Sequence, residues 1–251
     1  MNASVQHPII IALWSGPRNV STALMYSFAQ RRDTKVLDEP LFGHFLKHTG
    51  VWRPSREEAL ATMESRAEVL LTQFSQPADR SFLFLKNMAN HLEGLPMDIS
   101  LNYRNVILTR HPAKVLSSYV QQVENPTELD LCYRHQLELL DYLVQNQQTF
   151  FVMDSDQLLQ NPESMLRDMC SGLKVPFDQA MLSWPAEPRP EDGIWAKYWY
   201  ANVHKSTGFH KPDTHKEYTV PGHLQELLSS SLEYYQKIKE YEQIQPTRFA
   251  E

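Results

Sequence analysis

The sequence predicts an α/β protein whose parallel, doubly wound sheet is flanked by helices. Short apolar runs without polar alternation recur along the chain, which is typical of strands buried on both faces of a parallel sheet. Segments with helical spacing of apolar residues separate these runs, so strands and helices alternate. With 251 residues and 42% hydrophobic side chains the chain can bury this core, and we predict a single domain over residues 1–251.

The first strand-turn-helix unit predicts an anion site. Ile9–Leu13 is a purely apolar run expected to be a central strand, and a Ser-Gly-Pro turn ends it. Asn19 or Ser21 is the expected cap of the following helix. A tight turn before a helix directs several backbone N–H groups at one point, which favours a phosphate-type anion. The residues expected to bind it are Gly16, Pro17, Arg18, Asn19, Val20, Ser21 and Thr22.

The remaining elements follow in order along the chain. Further strands are predicted at residues 35–38, 82–85, 106–108 and 149–153. Helices are predicted at residues 55–74, opened by a capping box at Ser55, then at 113–120, 129–144, 154–172 and 224–241.

Polar residues follow the predicted strand ends, where ligands bind in such sheets. Glu39 ends the second strand, and Pro40 is expected to hold it extended. Lys86, Asn87 and His91 are placed just past the third strand. Arg110 follows the fourth strand, and Ser118 lies on the helix after it, so both can reach one phosphate.

Composition limits the classes of partner. The net charge of -6 argues against an extended nucleic-acid surface, and no apolar run reaches the roughly 18 residues of a membrane span. Cys132 and Cys170, the only cysteines, fit a reducing compartment, so we expect a cytoplasmic protein with both thiols in its core. His204, His210 and His215 lack the spacing of a metal site, and no metal is expected.

The opening loop does not match a nucleotide-triphosphate loop, G-x-x-x-x-G-K-[ST]. Counted from Gly16, Ser21 stands at the second glycine and Thr22 at the lysine. Asp38 and Asp154 end strands but lack the hydroxyl-lysine partner expected of a magnesium aspartate. The loop therefore predicts an anion site of another kind.

Two motifs resemble those of the sulfotransferases that use 3′-phosphoadenosine 5′-phosphosulfate. PRNVST, residues 17–22, is similar to the 5′-phosphosulfate loop P-[KR]-[ST]-G-[ST]-T, with Val20 at the usual glycine. RHPAKVLSS, residues 110–118, is similar to the 3′-phosphate motif R-[DN]-P-x-D-x-x-x-S, with Arg110 and Ser118 at the family's spacing. The resemblance implies a P-loop-like three-layer fold and metal-independent sulfuryl transfer from that co-substrate.

The resemblance also implies roles for single residues. Glu39 is similar to the glutamate base of the bacterial and tyrosylprotein branches. The animal cytosolic branch has K-x-H, whereas here methionine stands at that histidine, which leaves His91 as the alternative base. Arg18 and Lys86 would stabilise the departing phosphate. The family's R-K-G-x-x-G motif is absent, and the nearest candidates for that 3′-phosphate lid are Lys205, Ser206, Thr207 and Gly208.

Three functions stay open on the sequence. They are a sulfotransferase, a degenerate P-loop kinase or phosphotransferase, and a nucleotide-binding sensor that lost the chemistry. Glu39 and Lys86 are also compatible with plain ion pairs. The acceptor is expected to be a small molecule of unknown class, a hydroxyl or an amine, bound by residues 42–52 and 185–209. The oligomeric state is open.

Overall fold

Five strands form one parallel sheet, which confirms the predicted fold class. The computed structural model describes residues 6–211 and 217–244. The strands are β1 (Ile9–Ser15), β2 (Thr34–Asp38), β3 (Phe82–Met88), β4 (Arg104–Thr109) and β5 (Phe150–Asp154). Their order is β2-β3-β1-β4-β5, and all four neighbouring pairs are parallel. The sheet therefore winds outward on both sides of the central β1.

Helices cover both faces of the sheet. They are α1 (Ser21–Phe28), α2 (Phe42–Thr49), α3 (Arg56–Thr62), α4 (Ala67–Phe74), α5 (Pro112–Tyr119), α6 (Glu128–Leu131), α7 (Tyr133–Gln145), α8 (Ser155–Gln160), α9 (Pro162–Gly172), α10 (Ala196–Trp199) and α11 (Gln225–Ile244). Helices α4, α5, α7 and α11 share one apolar core with the sheet, and α1, α8 and α9 share the other. The sheet and the helices on its two faces therefore form three layers. The single-domain organisation over residues 1–251 stays a prediction.

The core forms as the apolar runs predict. Strand β1 is buried from Ile10 onward because β3 and β4 pair with its two edges and helices cover its faces. Cys132 and Cys170 are buried free thiols, which confirms their placement in the core. In the part of the chain that the structure describes, no helix is both long enough and apolar enough to cross a lipid bilayer.

Strand β3 is longer than predicted. Lys86 and Asn87 lie within it rather than past its end, and their backbones pair with Asp38 of β2 and with Leu13 and Trp14 of β1. The strand continues through these polar residues because β3 lies between two other strands, so its ladder hydrogen bonds persist regardless of side-chain polarity.

The predicted helix over residues 55–74 is two helices. Ser55 has φ 65° and makes no capping hydrogen bond, so the predicted capping box is wrong. The backbone becomes extended at Met63. The Glu64 carboxylate then accepts hydrogen bonds from the amides of Ser65 and Arg66, both at 2.9 Å. These side-chain bonds compete with the helical backbone pattern and begin a new turn.

The predicted helix over residues 129–144 is interrupted at Cys132, which has φ 69°. A capping box between Thr127 and Asp130 closes the single turn of α6 before α7 begins. The break places the carbonyl of Leu131 against the turn after β1, where a Cβ atom on Gly16 would lie 2.9 Å from it. Only glycine permits this close approach.

Candidate functional site

A cavity of about 430 Å³ opens at the carboxyl ends of the strands. The polar clusters that follow β1, β2, β3 and β4 meet there, as expected for a parallel sheet. Of the residues singled out from the sequence, the cavity is lined by Gly16, Pro17, Arg18, Asn19, Val20, Ser21, Thr22, Glu39, Lys86, His91, Arg110, Ser118, Ser206 and Gly208. Separate segments of the chain therefore form one site.

The loop between β1 and α1 has an unusual backbone. Arg18 and Val20 have φ values of 56° and 62°, in the left-handed region that β-branched residues rarely adopt. Val20 is the residue before the helix, so the prediction of Asn19 or Ser21 as the cap is wrong. Asn19 instead donates from Nδ2 to the carbonyl of Leu108 at 2.6 Å, which ties the loop to β4.

This loop offers unused hydrogen-bond donors. Among the described residues, none accepts a hydrogen bond from the amides of residues 18–23 or from the hydroxyls of Ser21 and Thr22. The first amides of a helix lack partners within the helix and carry its positive partial charge. The loop therefore suits a phosphate or phosphosulfate group.

The two predicted phosphate motifs are joined by hydrogen bonds. Arg18 Nε donates to Ser118 Oγ at 2.9 Å, and Arg110 Nη1 donates to the carbonyl of Arg18 at 2.9 Å. Arg110 Nε also donates to Asp156 Oδ1 at 3.2 Å, and Lys114 Nζ donates to Asp156 Oδ2 at 2.7 Å. The pKa of Arg18 is lowered, mainly by burial and to a smaller extent by the positive charge of Arg110. This cationic cluster fits a second anionic group beside the first.

Lys86 lies at the centre of a buried network on the other side of β1. Its Nζ atom lies 2.8 Å from Asp38 Oδ1, 2.6 Å from Glu39 Oε1 and 2.8 Å from the hydroxyl of Tyr200. An ammonium has three N–H donors, so these partners use all of them. Burial opposes the charge of Lys86, but the two carboxylates outweigh it and raise its pKa well above the usual value.

Glu39 follows β2 in an unexpected backbone conformation. Its φ of 47° corrects the expectation that Pro40 holds it extended. Its amide donates to the carbonyl of Lys86 at 2.7 Å and its carbonyl accepts from Phe42 at 2.9 Å, and these bonds impose the turn. Burial raises the pKa of the Glu39 carboxyl, and the negative charge of Asp38 raises it further. The positive charge of Lys86 lowers this pKa, but the net shift is upward. A raised pKa suits a general base.

His91 is the second candidate base and is buried. Its Nε2 atom lies 3.7 Å from Glu39 Oε2, and its Nδ1 has no hydrogen-bond partner among the described residues. Burial, followed by repulsion from Lys86 and Arg53, lowers the pKa of His91 well below its usual value. Its ring is therefore neutral at pH 7 and is available as a proton acceptor.

Sequence reasoning missed Asp38 and Tyr200 as parts of the site. The register of β2 against β3 places Asp38 opposite Lys86, and the two side chains form an ion pair. The Tyr200 hydroxyl lies 2.8 Å from Asp38 Oδ2, and Trp195 donates to it at 3.0 Å. No local pattern signals these contacts, because Tyr200 lies 162 positions from Asp38 in the chain.

The segment proposed as the lid is only partly in the site. Ser206 and Gly208 line the cavity, whereas Lys205 is exposed and Thr207 is outside the lining. Of the three neighbouring histidines, His204 lies 3.0 Å from Asp192, and His215 is outside the described residues. No group of three or more His, Cys, Asp or Glu side chains within residues 6–211 and 217–244 is arranged to hold a metal ion.

Comparison with known proteins identifies similar sequences and folds. A family model described as "Sulfotransferase domain" matches residues 9–241. Two Arabidopsis thaliana proteins, named branched-chain-amino-acid aminotransferase-like protein 1 and protein 2, are each 39% identical, over 236 and 228 residues. The matches cover 93% and 90% of this chain but 42% and 40% of those proteins, so the chain spans about two fifths of their length.

Two solved structures share the fold. One is the sulfotransferase domain from the olefin synthase of Synechococcus PCC 7002, with a TM-score of 0.54, 16% identity, and 94% and 98% of the two chains covered. The other is a sulfotransferase from Alicyclobacillus acidocaldarius, with a TM-score of 0.54, 14% identity, and 95% and 97% covered. At such low identity these structures support the fold and leave the chemistry to the site itself.

Proposed function

This chain belongs to the sulfotransferase domain family, and from that premise we propose that it transfers a sulfuryl group from 3′-phosphoadenosine 5′-phosphosulfate to a hydroxyl or amine acceptor. One observation carries the proposal. The loop after β1 and the motif after β4 meet through Arg18, Ser118 and Arg110, while Glu39 lines the same cavity from β2. A nucleotide with two phosphate positions and a general base would thus share one space.

In this proposal, the loop holds the 5′-phosphosulfate. The amides of residues 18–23 and the hydroxyls of Ser21 and Thr22 donate to it, and the terminal nitrogens of Arg18 balance its charge. Arg110 and Ser118 bind the 3′-phosphate. Ser206 and Gly208, which line the cavity, are the parts of the proposed lid that reach the nucleotide. The same donors stabilise the charge that develops on the departing phosphate.

Glu39 is the proposed base, and Lys86 positions it. As the bond from the acceptor oxygen or nitrogen to sulfur forms and the bond from sulfur to the 5′-phosphate breaks, Glu39 takes the acceptor's proton and adenosine 3′,5′-diphosphate leaves. Because Asp38, Glu39 and Tyr200 use all three donors of Lys86, we assign this lysine to holding the carboxylate rather than to the phosphate. His91 is the alternative base.

Binding and turnover in the absence of metal test the function. We expect the purified chain in EDTA to bind adenosine 3′,5′-diphosphate, measured by calorimetry, and to release it from the phosphosulfate donor when an acceptor is present. Magnesium-dependent turnover of ATP would instead support the kinase alternative. Binding without transfer to any of a broad panel of acceptors would support the nucleotide sensor.

Tyr200→Phe tests the positioning network. The substitution removes the hydroxyl that accepts from Lys86, and we expect kcat to fall roughly tenfold with little change in KM for the donor. Lys86 lowers the pKa of Glu39, so a less firmly held Lys86 lets that pKa rise. Activity requires the deprotonated carboxylate, so the acid limb of the pH profile should move to higher pH. Tyr198→Phe is the control, because Tyr198 of α10 is exposed. An unchanged pH profile in Tyr200→Phe would contradict the role of Tyr200 in holding Lys86.

A further inference from the structure

The strand order assigns one side of the cavity to the acceptor. Neighbouring strands are about 4.8 Å apart, and β2, which Glu39 follows directly, is two positions from β1. Arg110 follows β4, on the opposite side of β1. If the nucleotide extends from the β1 loop toward Arg110, the space over β2 and β3 remains for the acceptor. We call this space the acceptor side.

Aromatic rings line the acceptor side. Phe42 and Phe45 of α2 lie next to His91, with ring centroids 5.6 Å and 5.1 Å away. Trp195 packs edge-on against Phe42 at 4.9 Å, and Trp199 stacks on Tyr119 at 5.9 Å. All of these side chains line the cavity. Such surfaces bind apolar groups, and particularly rings.

The cations of the acceptor side are already paired. Arg53 forms an ion pair with Asp130, whose other carboxylate oxygen accepts from the amide and hydroxyl of Thr127 at 2.7 Å and 2.6 Å. Lys86 is bound by Asp38 and Glu39. Within the described residues, a carboxylate, phosphate or sulfate on the acceptor would therefore meet no unpaired cation here, and Glu39 would repel it.

Hydrogen-bonding capacity on the acceptor side is small. Asn90 is 4% exposed and lines the cavity, and its Oδ1 has no partner among the described residues. It can accept a hydrogen bond from one hydroxyl or N–H group. The buried Nδ1 atom of His91 also has no partner among the described residues. The several hydroxyls of a sugar would exchange water for these few buried atoms and the aromatic walls, which is unfavourable.

Taking the proposed sulfuryl transfer as given, we infer that the acceptor is a compound with a compact apolar body, such as a simple alcohol or phenol, rather than an anionic or polyhydroxyl compound. The hydroxyl points to Glu39, and the hydrocarbon or ring lies against Phe42, Phe45 and Trp199. The inference rests on the aromatic lining, on the paired charges and on the small number of unpartnered buried polar atoms, Asn90 Oδ1 and His91 Nδ1.

Matched acceptors test the inference. 4-Methylphenol and 4-hydroxybenzoate share a ring and differ by a methyl group or a carboxylate, and cyclohexylmethanol and N-acetylglucosamine form a second pair. We expect kcat/KM with 4-methylphenol to exceed that with 4-hydroxybenzoate by roughly 100-fold or more, and cyclohexylmethanol to be preferred to the sugar. A preference for the carboxylate or the sugar would overturn the inference and leave sulfuryl transfer intact.

Binding separates this inference from the proposed function. With saturating adenosine 3′,5′-diphosphate, calorimetry should show saturable binding of 4-methylphenol, weakened roughly tenfold in Trp199→Ala with unchanged diphosphate affinity. Trp52→Ala is the control, because the Trp52 side chain is 75% exposed and lies outside the cavity lining. Absent 4-methylphenol binding overturns the acceptor class, whereas absent diphosphate binding overturns the function.

A gain of activity provides an independent check. Asp130→Asn removes the carboxylate that neutralises Arg53 but keeps an oxygen for Thr127. We expect the ratio of kcat/KM for 4-hydroxybenzoate to that for 4-methylphenol to rise roughly tenfold, because the freed guanidinium can bind the carboxylate. An unchanged ratio would show that the ion pair does not exclude anions, and would contradict the inference.

Discussion

Glu39→Gln should lower the rate of sulfuryl transfer by roughly 100- to 10,000-fold, the usual contribution of a general base. The amide has nearly the same shape as the carboxylate and retains an oxygen for Lys86, so the buried network should survive. The affinity for adenosine 3′,5′-diphosphate, measured by calorimetry, should stay within about twofold of the native value because Glu39 is assigned no contact with the nucleotide.

The control for this variant is Glu57→Gln, whose side chain is 87% exposed and which should transfer normally. Native-like transfer by Glu39→Gln would exclude Glu39 as the base and move the assignment to His91, to be examined with His91→Asn. The pH profile adds a second criterion. Because burial raises the pKa of Glu39, the native acid limb should lie above the range of an ordinary carboxyl group, and Glu39→Gln should lose that limb.

Arg110→Ala should weaken the binding of adenosine 3′,5′-diphosphate by roughly 10- to 100-fold, equivalent to about 1.5–3 kcal/mol for charge-assisted hydrogen bonds. Binding of adenosine 5′-phosphate should change less, because Arg110 is assigned to the 3′-phosphate and contacts the 5′ loop only through one hydrogen bond to the Arg18 carbonyl. Asp156, which loses a partner in this variant, stays paired with Lys114 at 2.7 Å, so a misplaced carboxylate should not dominate the result.

Titration calorimetry with both nucleotides measures this difference. Arg32→Ala, an exposed arginine outside the cavity lining, should change neither affinity. Equal losses for the two nucleotides in Arg110→Ala would contradict the assignment, since they would show that Arg110 acts through its hydrogen bond to the Arg18 carbonyl of the loop and not on the 3′-phosphate. Ser118→Ala should show a smaller loss, because it removes one neutral hydroxyl, which accepts a hydrogen bond from Arg18 Nε.

Parts of the fold and site that depend on local pattern were predictable. Ile10 to Leu13 have no polar alternation because both faces of β1 are covered, and burial confirms it. Arg110 and Ser118 are related by a short turn into α5, so their spacing already implies proximity. In both cases neighbours in the sequence determine the outcome.

The predictions failed where distant contacts override local preference. Cys132 was expected within a helix but breaks it, because the α6 turn closes on itself and packs against Gly16. Glu39 was expected to be extended before a proline, yet hydrogen bonds to Lys86 and Phe42 give it a left-handed turn. In each case a contact with a distant segment, with Gly16 for the α6 turn and with Lys86 for Glu39, adds to bonds made within the segment itself.

The sequence by itself determined the parallel α/β class, the loop at residues 16–22 and the candidate pair of phosphate motifs, because hydrophobic runs, turn residues and helical spacing are local properties. Only the tertiary structure decided that Lys86 is bound by Asp38, Glu39 and Tyr200, and that aromatic rings and paired charges line the acceptor side. The physical reason is that strand register joins Lys86 to Asp38, 48 positions away, and the return of residues 192–204 to the sheet joins Tyr200 to Asp38, 162 positions away. Burial and the neighbouring charges then set the protonation of these groups.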